Sequence, residues 1–307
     1  MTLPLDALRA QFADLLQENV SLAGYCTAHT GGAAKVMITV GDSTQLAEAA
    51  QFLWQQSIPF ITLGSGSNVL FSDHGLDAVL LLNRAKAIRI EDASDHPTVW
   101  AESGANLGSI ARQAALRGLS GLEWASTIPG TLGGAVYGNA GAYGSDMSKT
   151  LVMAEILHRS MGRVSWTAGQ MEYAYRSSIL KRQTGVGVIL SAVLTVSRGN
   201  VEEIQAKMAE LSEKRRQSQP PGASMGSMFK NPVGDYAGRL IEAAGLKGTR
   251  IGGAEISRVH GNFFVNDGTA SASDIYRLIV LVQKTVHEKF GIDLELEVEP
   301  LGSWQEE

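Results

Sequence analysis

The sequence predicts an α+β fold, because helical and strand patterns occur together without the regular βαβ alternation of a doubly wound sheet. Residues 36–70 form a strand, helix, strand and loop unit, whereas residues 78–101 contain three strands in succession. Gly199 and Asn200 then break the pattern, and we place the main domain boundary near residue 199. A chain of 307 residues is long enough for one large domain or for two to three ordinary ones.

The elements before the boundary follow from spacing and capping signals. Helical spacing predicts a leading helix over residues 6–18, and a strand follows at 37–40. Asp42 offers an N-cap oxygen to a helix with one apolar face. A buried strand at 60–63 leads into a glycine loop, and we expect this unit to be parallel.

The remaining elements are read in the same way. We predict strands at 78–82, 88–91 and 98–101, a helix over 106–117 that Gly118 ends, and strands at 151–157 and 186–196. Beyond residue 199 we predict a helix that Asn200 caps and that ends before Pro220, a short helix over 237–244, a strand at 262–266, a helix over 274–290 that Gly291 ends, and a last strand over 293–299.

Composition excludes several functional classes. The net charge of −5 argues against a nucleic-acid-binding protein, which would present a basic face. Cys26 is the only cysteine, so neither an internal disulfide nor a cysteine-based zinc site is expected, and the six histidines lack metal-binding spacing. We find no secretory signal pattern and no apolar run of about 18 residues, and therefore expect a cytoplasmic protein without membrane insertion.

The first glycine loop, residues 64–68, has the sequence GSGSN. It begins as Gly-x-Gly but has Val69 where a dinucleotide fingerprint needs its third glycine, and no Gly-Lys-Ser or Gly-Lys-Thr of a P-loop occurs in the chain. A tight turn after a strand would also explain these glycines. Its place at the end of a buried strand favours a ligand-binding loop, because open α/β sheets bind ligands there.

The second glycine loop, residues 128–144, contains glycines at 130, 133, 134, 138, 141 and 144. These are too many for one turn, and a flexible linker would not include Ile128, Leu132 and Tyr143. Backbone N–H groups crowded into a loop suit a diphosphate, and apolar residues beside them suit a flat ring. We therefore expect a large phosphate-bearing cofactor that the main chain holds.

Two further features have a structural explanation beside a functional one. Within the sequence GSMFKNP, Ser227, Lys230 and Asn231 could bind a polar ligand or give it a proton, or form a capped turn. Arg176 follows Tyr175 and could clamp a carboxylate bidentately, or stack on the tyrosine at the surface.

The predicted last strand carries a row of acidic residues on one face. Glu295, Glu297 and Glu299 alternate there with Leu294, Leu296 and Val298. Such a row is usually a solvated face, but a carboxylate that points into a cleft would suit acid chemistry. The residues alone do not select one of the three.

Several motifs follow one another in a fixed order along the chain. They are HTGG at 29–32, LGSGSNVL at 63–70, IPGTLGGA at 128–135, NAGAYG at 139–144, YRSS at 175–178, GSMFKNP at 226–232 and LELEV at 294–298. In order and spacing they resemble the UDP-N-acetylenolpyruvoylglucosamine reductase family, the flavoenzymes of peptidoglycan precursor synthesis. The short interval between residues 176 and 227 resembles the branch without an inserted substrate-covering loop.

The resemblance implies a vanillyl-alcohol-oxidase or PCMH-type FAD-binding fold. Its two subdomains would cover residues 1–83 and 84–198, and an α+β substrate-binding domain would cover 199–307. FAD would be bound non-covalently. The implied FAD-binding residues are Thr30, Gly31, Gly32, Gly64, Ser65, Gly66, Ser67, Asn68, Val69, Leu70, Ile128, Pro129, Gly130, Thr131, Gly133, Gly134, Ala135, Asn139, Gly141, Ala142 and Tyr143.

The resemblance also implies a two-step redox cycle. NADPH would reduce the cofactor, and the enolpyruvyl ether of a UDP-sugar would then accept hydride at its methylene carbon. Arg176 and a protonated Glu297 would stabilise the charge on the substrate carboxylate, and Ser227 would return a proton to the α-carbon. Tyr175, Lys230 and Asn231 would bind the substrate.

Two positions depart from the family pattern. His29 stands where the family usually has asparagine, and Thr127 stands where it usually has glycine. We expect no covalent tether to His29. The alternatives are an FAD-linked oxidase of a hydroxylated small molecule on the same fold, and a flavin or nucleotide carrier without catalysis. We expect small-molecule partners only and a monomer.

Overall fold

The computed structural model describes residues 3–304, and its first unit is built around a mixed four-stranded sheet. Its elements are α1 (Leu5–Phe12), β1 (Leu16–Ser21), β2 (Ala33–Val40), α2 (Ser43–Gln55), β3 (Phe60–Leu63), β4 (Val69–Phe71) and β5 (Val79–Asn83). The strand order is β1-β2-β5-β3. Strands β2 and β3 both run parallel to β5, which confirms the predicted parallel unit, although the two strands are not neighbours.

The second unit is an antiparallel five-stranded sheet with short helices. Its elements are β6 (Ile88–Glu91), β7 (Thr98–Glu102), α3 (Leu107–Leu116), β8 (Leu119–Ser120), α4 (Leu132–Gly138), β9 (Gly141–Ala142), β10 (Ser145–Asp146), α5 (Met147–Thr150), β11 (Leu151–His158), β12 (Gly162–Thr167), α6 (Ile179–Arg182), β13 (Gly187–Thr195) and β14 (Ser197–Arg198). The strand order is β12-β11-β13-β7-β6.

The third unit combines three helices with a small antiparallel sheet. Its elements are α7 (Val201–Ser218), α8 (Ala237–Ala243), β15 (Arg250–Ile251), β16 (Ala254–Ile256), β17 (Phe264–Asn266), α9 (Ala272–Phe290) and β18 (Glu299–Leu301). Strand β18 leaves this unit and pairs in parallel with β4 of the first unit. The mixture of helices with mixed and antiparallel sheets confirms the α+β class.

The first and third units share one hydrophobic core. Phe71 and Leu80 of the first unit belong to the same buried cluster as Phe229 and Phe264 of the third. The second unit has a separate cluster around its sheet and α3. Polar contacts add to the first junction, since the Asp73 carboxylate accepts hydrogen bonds from the first backbone N–H groups of α9. The predicted substrate-binding part of the chain is therefore anchored on the first glycine-loop unit.

Predicted helix ends agree with the capping geometry. The side chains of Asp42, Asn106 and Asn200 each accept a hydrogen bond from the backbone N–H three residues later, at 2.8, 2.9 and 3.0 Å. Gly291 ends α9 with a φ of +67°, and Gly118 follows α3 with a φ of +68°. These helices and the strands at 37–40, 78–101, 151–157, 186–196 and 262–266 are confirmed to within a few residues.

Two predictions at the ends of the chain are wrong. The leading helix ends at Phe12 rather than residue 18, because Leu16–Ser21 forms β1 and pairs with β2 instead. The last strand does not cover 293–299, since only Glu299–Leu301 is a strand. The alternation of leucine and glutamate arises because this extended segment packs along residues 228–230, to which it is bonded through single contacts such as the Phe229–Leu296 bridge.

Two predictions in the interior also need correction. Strand β3 lies at the edge of its sheet, and only Leu63 of its four residues is buried. The second glycine loop contains a helix, α4, that its sequence does not predict because glycine is a poor helix former. Its first N–H groups are satisfied from outside, since Leu132 and Gly133 donate to the carbonyls of Ala105 and Ser103.

Candidate active site

The two glycine loops lie against each other. The Ser67 hydroxyl, in the first loop, donates a hydrogen bond of 3.2 Å to the Pro129 carbonyl in the second. A Cβ atom on Gly64 would overlap the side chain of Thr131, so the two loops approach as closely as a bare backbone allows. The loops that the sequence separates by some sixty residues therefore form one surface.

Gly66 shows why the first loop needs glycine. Its φ is +65°, in the left-handed region, and an added Cβ would collide with the Tyr25 carbonyl. The Gly66 carbonyl also accepts a hydrogen bond of 3.0 Å from the Thr27 N–H. The segment before β2 thus holds the first glycine loop in a conformation that other residues adopt only with strain.

The first glycine loop presents unsatisfied main-chain donors. Within residues 3–304, the backbone N–H groups of Ser65, Gly66, Ser67 and Asn68 donate no hydrogen bond. The same holds for three N–H groups of the second loop, on Gly130, Thr131 and Gly134. Consecutive free N–H groups form a concave anion site of the kind that binds diphosphates.

Buried hydroxyl groups without partners adjoin these loops. The side-chain oxygens of Thr27, Thr30 and Thr127 are shielded from solvent and make no hydrogen bond within the described part of the chain. Buried polar groups are nearly always paired, so three orphan hydroxyls next to free N–H groups indicate a polar ligand. Thr27 was missed because no sequence signal marks it.

Other predicted cofactor-binding residues surround this surface. Gly31 packs against Phe71 of β4, and Gly32 lies against the turn after β4 and donates a hydrogen bond of 2.9 Å to the Ser72 carbonyl. Thr30, which precedes them, is buried. Val69 and Leu70 belong to β4, Ile128 and Pro129 precede α4, Ala135 lies in α4, and Gly141 and Ala142 form β9. Their contact with a cofactor stays a prediction.

Two residues of the second glycine loop have side chains engaged by the fold. Asn139 has a φ of +48°. Its side-chain N–H donates a hydrogen bond of 3.0 Å to the Ala174 carbonyl, and its side-chain oxygen accepts one of 3.0 Å from the Ser148 N–H. The Tyr143 hydroxyl donates 3.1 Å to the Leu211 carbonyl of α7. Their fold contacts leave their predicted cofactor role untested.

Arg176 and Glu297 form an ion pair across two units. Arg176 Nε lies 2.7 Å from Glu297 Oε1. A second guanidinium nitrogen donates a hydrogen bond of 2.8 Å to the Gly141 carbonyl in the second glycine loop. The side chains are 24% and 18% exposed. Arg176 has a φ of +53°, a strained conformation of the kind that clusters at functional sites.

Every carboxylate of the acidic row has a cationic partner. We call Glu295, Glu297 and Glu299 the carboxylate strip. Lys230 pairs with Glu295, and Lys181 of α6 lies 2.9 Å from Glu299. Their exposures are 73%, 18% and 34% in chain order, so Glu297 is the member that is withdrawn from solvent. Lys181 was missed because its partner is distant in sequence.

Ser227 is held beside Glu297 by the main chain. The Glu297 N–H donates a hydrogen bond of 2.9 Å to the carbonyl of Met228, the residue after Ser227. The Asn68 side chain donates another of 2.9 Å to the Glu297 carbonyl. The half-buried Ser227 hydroxyl makes no hydrogen bond within residues 3–304. The main chain thus brings the segments of Ser227 and Glu297 together beside the first glycine loop, and Arg176 joins them through its ion pair with Glu297, while the catalytic roles of the three residues stay a prediction.

The three predicted substrate-binding residues lie around this cluster. Tyr175 is 51% exposed, and the Arg176 guanidinium lies 5.1 Å from its ring centre. Lys230 is paired with Glu295, and the exposed Asn231 side chain accepts a hydrogen bond of 3.1 Å from the N–H of Ala237, the first residue of α8. Binding by these three residues stays a prediction.

A comparison with known protein families identifies the class of this protein. The chain matches a family model described as an FAD binding domain over residues 34–168, which includes both glycine loops. The orphan hydroxyls and free N–H groups fit a diphosphate-bearing flavin at that surface. The protein is an FAD-containing oxidoreductase with an α+β FAD-binding fold.

The family follows from longer matches. Residues 217–301 match the C-terminal domain of UDP-N-acetylenolpyruvoylglucosamine reductase. The reductase of Chloroflexus aurantiacus is 39% identical over 90% of this chain and 94% of its own, and that of Bacillus subtilis is 41% identical over 92% and 93%. The crystal structure of the Thermus caldophilus reductase superposes with a TM-score of 0.78 at 35% identity, covering 92% and 98% of the two chains. The chain belongs to the UDP-N-acetylenolpyruvoylglucosamine reductase family.

Two kinds of feature are absent from the described part of the chain. Within residues 3–304, no helix has the length and apolar character needed to cross a bilayer. In the same range, no group of three or more histidine, cysteine, aspartate or glutamate side chains is arranged to hold a metal ion.

Proposed function

We propose that this protein reduces the enolpyruvyl group of UDP-N-acetylenolpyruvoylglucosamine with NADPH, giving UDP-N-acetylmuramate for peptidoglycan precursor synthesis in the cytoplasm. One observation carries the proposal. The Arg176–Glu297 ion pair lies beside Ser227 and is bonded, through Asn68, to the end of the first glycine loop. A carboxylate-binding group and a proton donor are therefore adjacent to the FAD-binding surface.

Main-chain groups hold the cofactor in this proposal. The free N–H groups of Ser65 to Asn68 bind the diphosphate, and the buried hydroxyls of Thr30 and Thr127 supply further hydrogen bonds. FAD held there would supply the hydride chemistry that links NADPH to the methylene carbon of the substrate. The chain contributes position and electrostatics.

Arg176 and Glu297 stabilise the charge that the reaction creates. When hydride adds to the methylene carbon, the electron pair of the carbon–carbon double bond moves to the α-carbon and its carboxylate. The Arg176 guanidinium, which is only 24% exposed, stabilises that charge, because pre-aimed donors act most strongly away from water. The substrate carboxylate competes with Glu297 for Arg176, and a protonated Glu297 then donates a hydrogen bond to it.

Ser227 completes the reaction as the proton donor. Its hydroxyl proton goes to the α-carbon, so that hydride and proton together saturate the double bond. A serine hydroxyl is a weak acid, and it suits this step because the α-carbon is strongly basic after hydride addition. The Ser227 hydroxyl is half-buried, so the alkoxide that the transfer leaves can regain a proton from solvent.

Substrate binding falls to residues at the rim of this cluster. Lys230 exchanges its partner Glu295, which is 73% exposed, for the diphosphate or sugar of the substrate. Asn231 and Tyr175 contact the same ligand. Glu295 can turn into solvent when the substrate anion replaces it, because its side chain is 73% exposed, whereas Lys230 is only 15% exposed and stays in place.

Steady-state turnover tests the proposed function. We expect NADPH consumption that depends on UDP-N-acetylenolpyruvoylglucosamine, with the product identified by mass spectrometry as the saturated ether. Peroxide should stay at background. Substrate-dependent peroxide without NADPH would establish the oxidase alternative, and flavin binding without turnover of either kind would establish the carrier.

A further inference from the structure

Arg215 is a half-buried cation for which residues 3–304 provide no partner. It lies in the last turn of α7, and its guanidinium makes no hydrogen bond and no ion pair within residues 3–304. The adjacent Arg216 is different, because it pairs with Glu213 at 2.8 Å and is 77% exposed. Two consecutive arginines therefore have opposite environments.

The environment of Arg215 is unfavourable for a lone charge. Burial lowers the pKa of Arg215, because the guanidinium loses hydration that nothing in the described fold replaces. An arginine nevertheless stays protonated at physiological pH. A partly buried charge normally has a counter-charge, and its absence here points to an anionic ligand as the missing partner.

Tyr143 links Arg215 to the candidate active site. The Tyr143 hydroxyl donates a hydrogen bond of 3.1 Å to the Leu211 carbonyl. Leu211 and Arg215 are neighbours on one side of α7, because they are four residues apart in the helix. Tyr143 directly follows β9, where the Gly141 carbonyl accepts a hydrogen bond from Arg176. Arg215 is thus connected, through Leu211 and Tyr143, to the short segment that contacts Arg176.

We propose that Arg215 binds a phosphate group of a nucleotide ligand beside Tyr143. The inference rests on the proposed function, in which FAD, NADPH and the UDP-sugar all carry phosphates. The substrate carboxylate is taken by Arg176, so phosphates are the anions that remain. A guanidinium can bind two phosphate oxygens at once, which suits this role better than a flexible ammonium would.

Three binding assays on Arg215→Met distinguish the possible sources of the phosphate. The first is the Kd of FAD, from flavin fluorescence during reconstitution of the stripped protein. The second is the Kd of UDP, from its effect on the absorption of bound flavin. The third is the ratio of KM values for NADPH and NADH, which reports the 2′-phosphate. Arg216→Met is the matched control, since it removes the neighbouring, exposed charge.

We expect Arg215→Met to weaken one of these three about 10- to 100-fold, with Arg215→Lys intermediate. Arg216→Met should stay within about twofold of the wild type. The affected assay identifies the phosphate. If all three stay within about twofold in Arg215→Met, the inference is wrong.

Folding and function are checked separately. Should Arg215→Met fail to fold by circular dichroism, Arg215→Lys and Arg215→Gln decide the question in the same assays. Because the FAD and UDP assays need no turnover, they remain readable if the wild type fails to reduce the UDP-sugar. That failure would refute the proposed function and leave the Arg215 result standing.

Discussion

The glycine loops and the carboxylate strip work on opposite principles. The loops offer main-chain N–H groups, and the close approach of Gly64 to Thr131 and of Gly66 to Tyr25 depends on missing side chains. The strip consists of side-chain ion pairs whose members are far apart in sequence, 121 residues for Arg176 and Glu297. Cofactor retention should therefore respond to added atoms, and product formation to removed functional groups.

Ser227→Ala should have the largest effect, and should act on product formation alone. Removal of the proton donor should lower the rate of product formation about 10²- to 10⁴-fold, while NADPH should reduce the flavin at the wild-type rate. Stopped-flow absorbance of the two half-reactions measures both. Ser160→Ala, in the exposed turn between β11 and β12, is the control. Unchanged product formation would remove Ser227 from the mechanism.

Glu297→Ala tests the buried member of the strip. We expect about a 10²- to 10³-fold loss in kcat with normal flavin content, because alanine removes the hydrogen-bond donor to the substrate carboxylate. Glu295→Ala, on the 73% exposed member, should change only KM, by less than about tenfold. Equal effects of the two substitutions on kcat would contradict a special role for Glu297.

Gly66→Ala tests the loop side of the comparison. It should lower thermal stability and flavin content together. The added Cβ would collide with the Tyr25 carbonyl, and alanine would also be strained in the left-handed backbone conformation of this position. Gly162→Ala shares the strain, with a φ of +71°, but has open space around it, and should cost only about 1–2 kcal/mol. Differential scanning fluorimetry and the flavin-to-protein absorbance ratio measure both variants. Full flavin content in Gly66→Ala would contradict the main-chain cradle.

The smallest expected effect concerns Tyr137, near Glu299 of the strip. Burial, assisted by the Glu299 charge, raises the pKa of Tyr137 to about 12. The neutral phenol is thus favoured in the fold, so its contribution is present below about pH 10 and is lost as the pH rises toward 12.

Tyr137→Phe should therefore lose less stability than the wild type between pH 10 and 12, as followed by urea denaturation. Some loss should remain, because burial also raises the pKa of Tyr173. Tyr236→Phe, which changes a phenol that is 68% exposed, serves as the control. Identical pH slopes in the wild type and Tyr137→Phe would contradict this account.

Local signals explain how much of the fold was predictable. Helices α2, α3 and α7 begin at asparagine or aspartate caps, and α9 ends at a left-handed glycine, all of which depend on neighbouring residues. Helix α4 was missed because its stability comes from outside, through the carbonyls of Ser103 and Ala105. The last strand was wrong because its alternation reflects packing on residues 228–230 instead of a sheet.

The site divides in the same way. The glycine loops were visible as local glycine density, and motif order added the identities of Arg176, Ser227 and Glu297. The ion pairs of the carboxylate strip, the orphan hydroxyl of Thr27 and the unpaired Arg215 depend on contacts between distant segments. Residue type and spacing carry no record of such contacts.

The absorption spectrum of the purified protein under anaerobic conditions tests the central claim most directly. We predict a yellow protein that NADPH bleaches and that UDP-N-acetylenolpyruvoylglucosamine then restores to yellow. A colourless protein that takes up no added FAD, or a bleached protein that the UDP-sugar leaves bleached, would contradict the account.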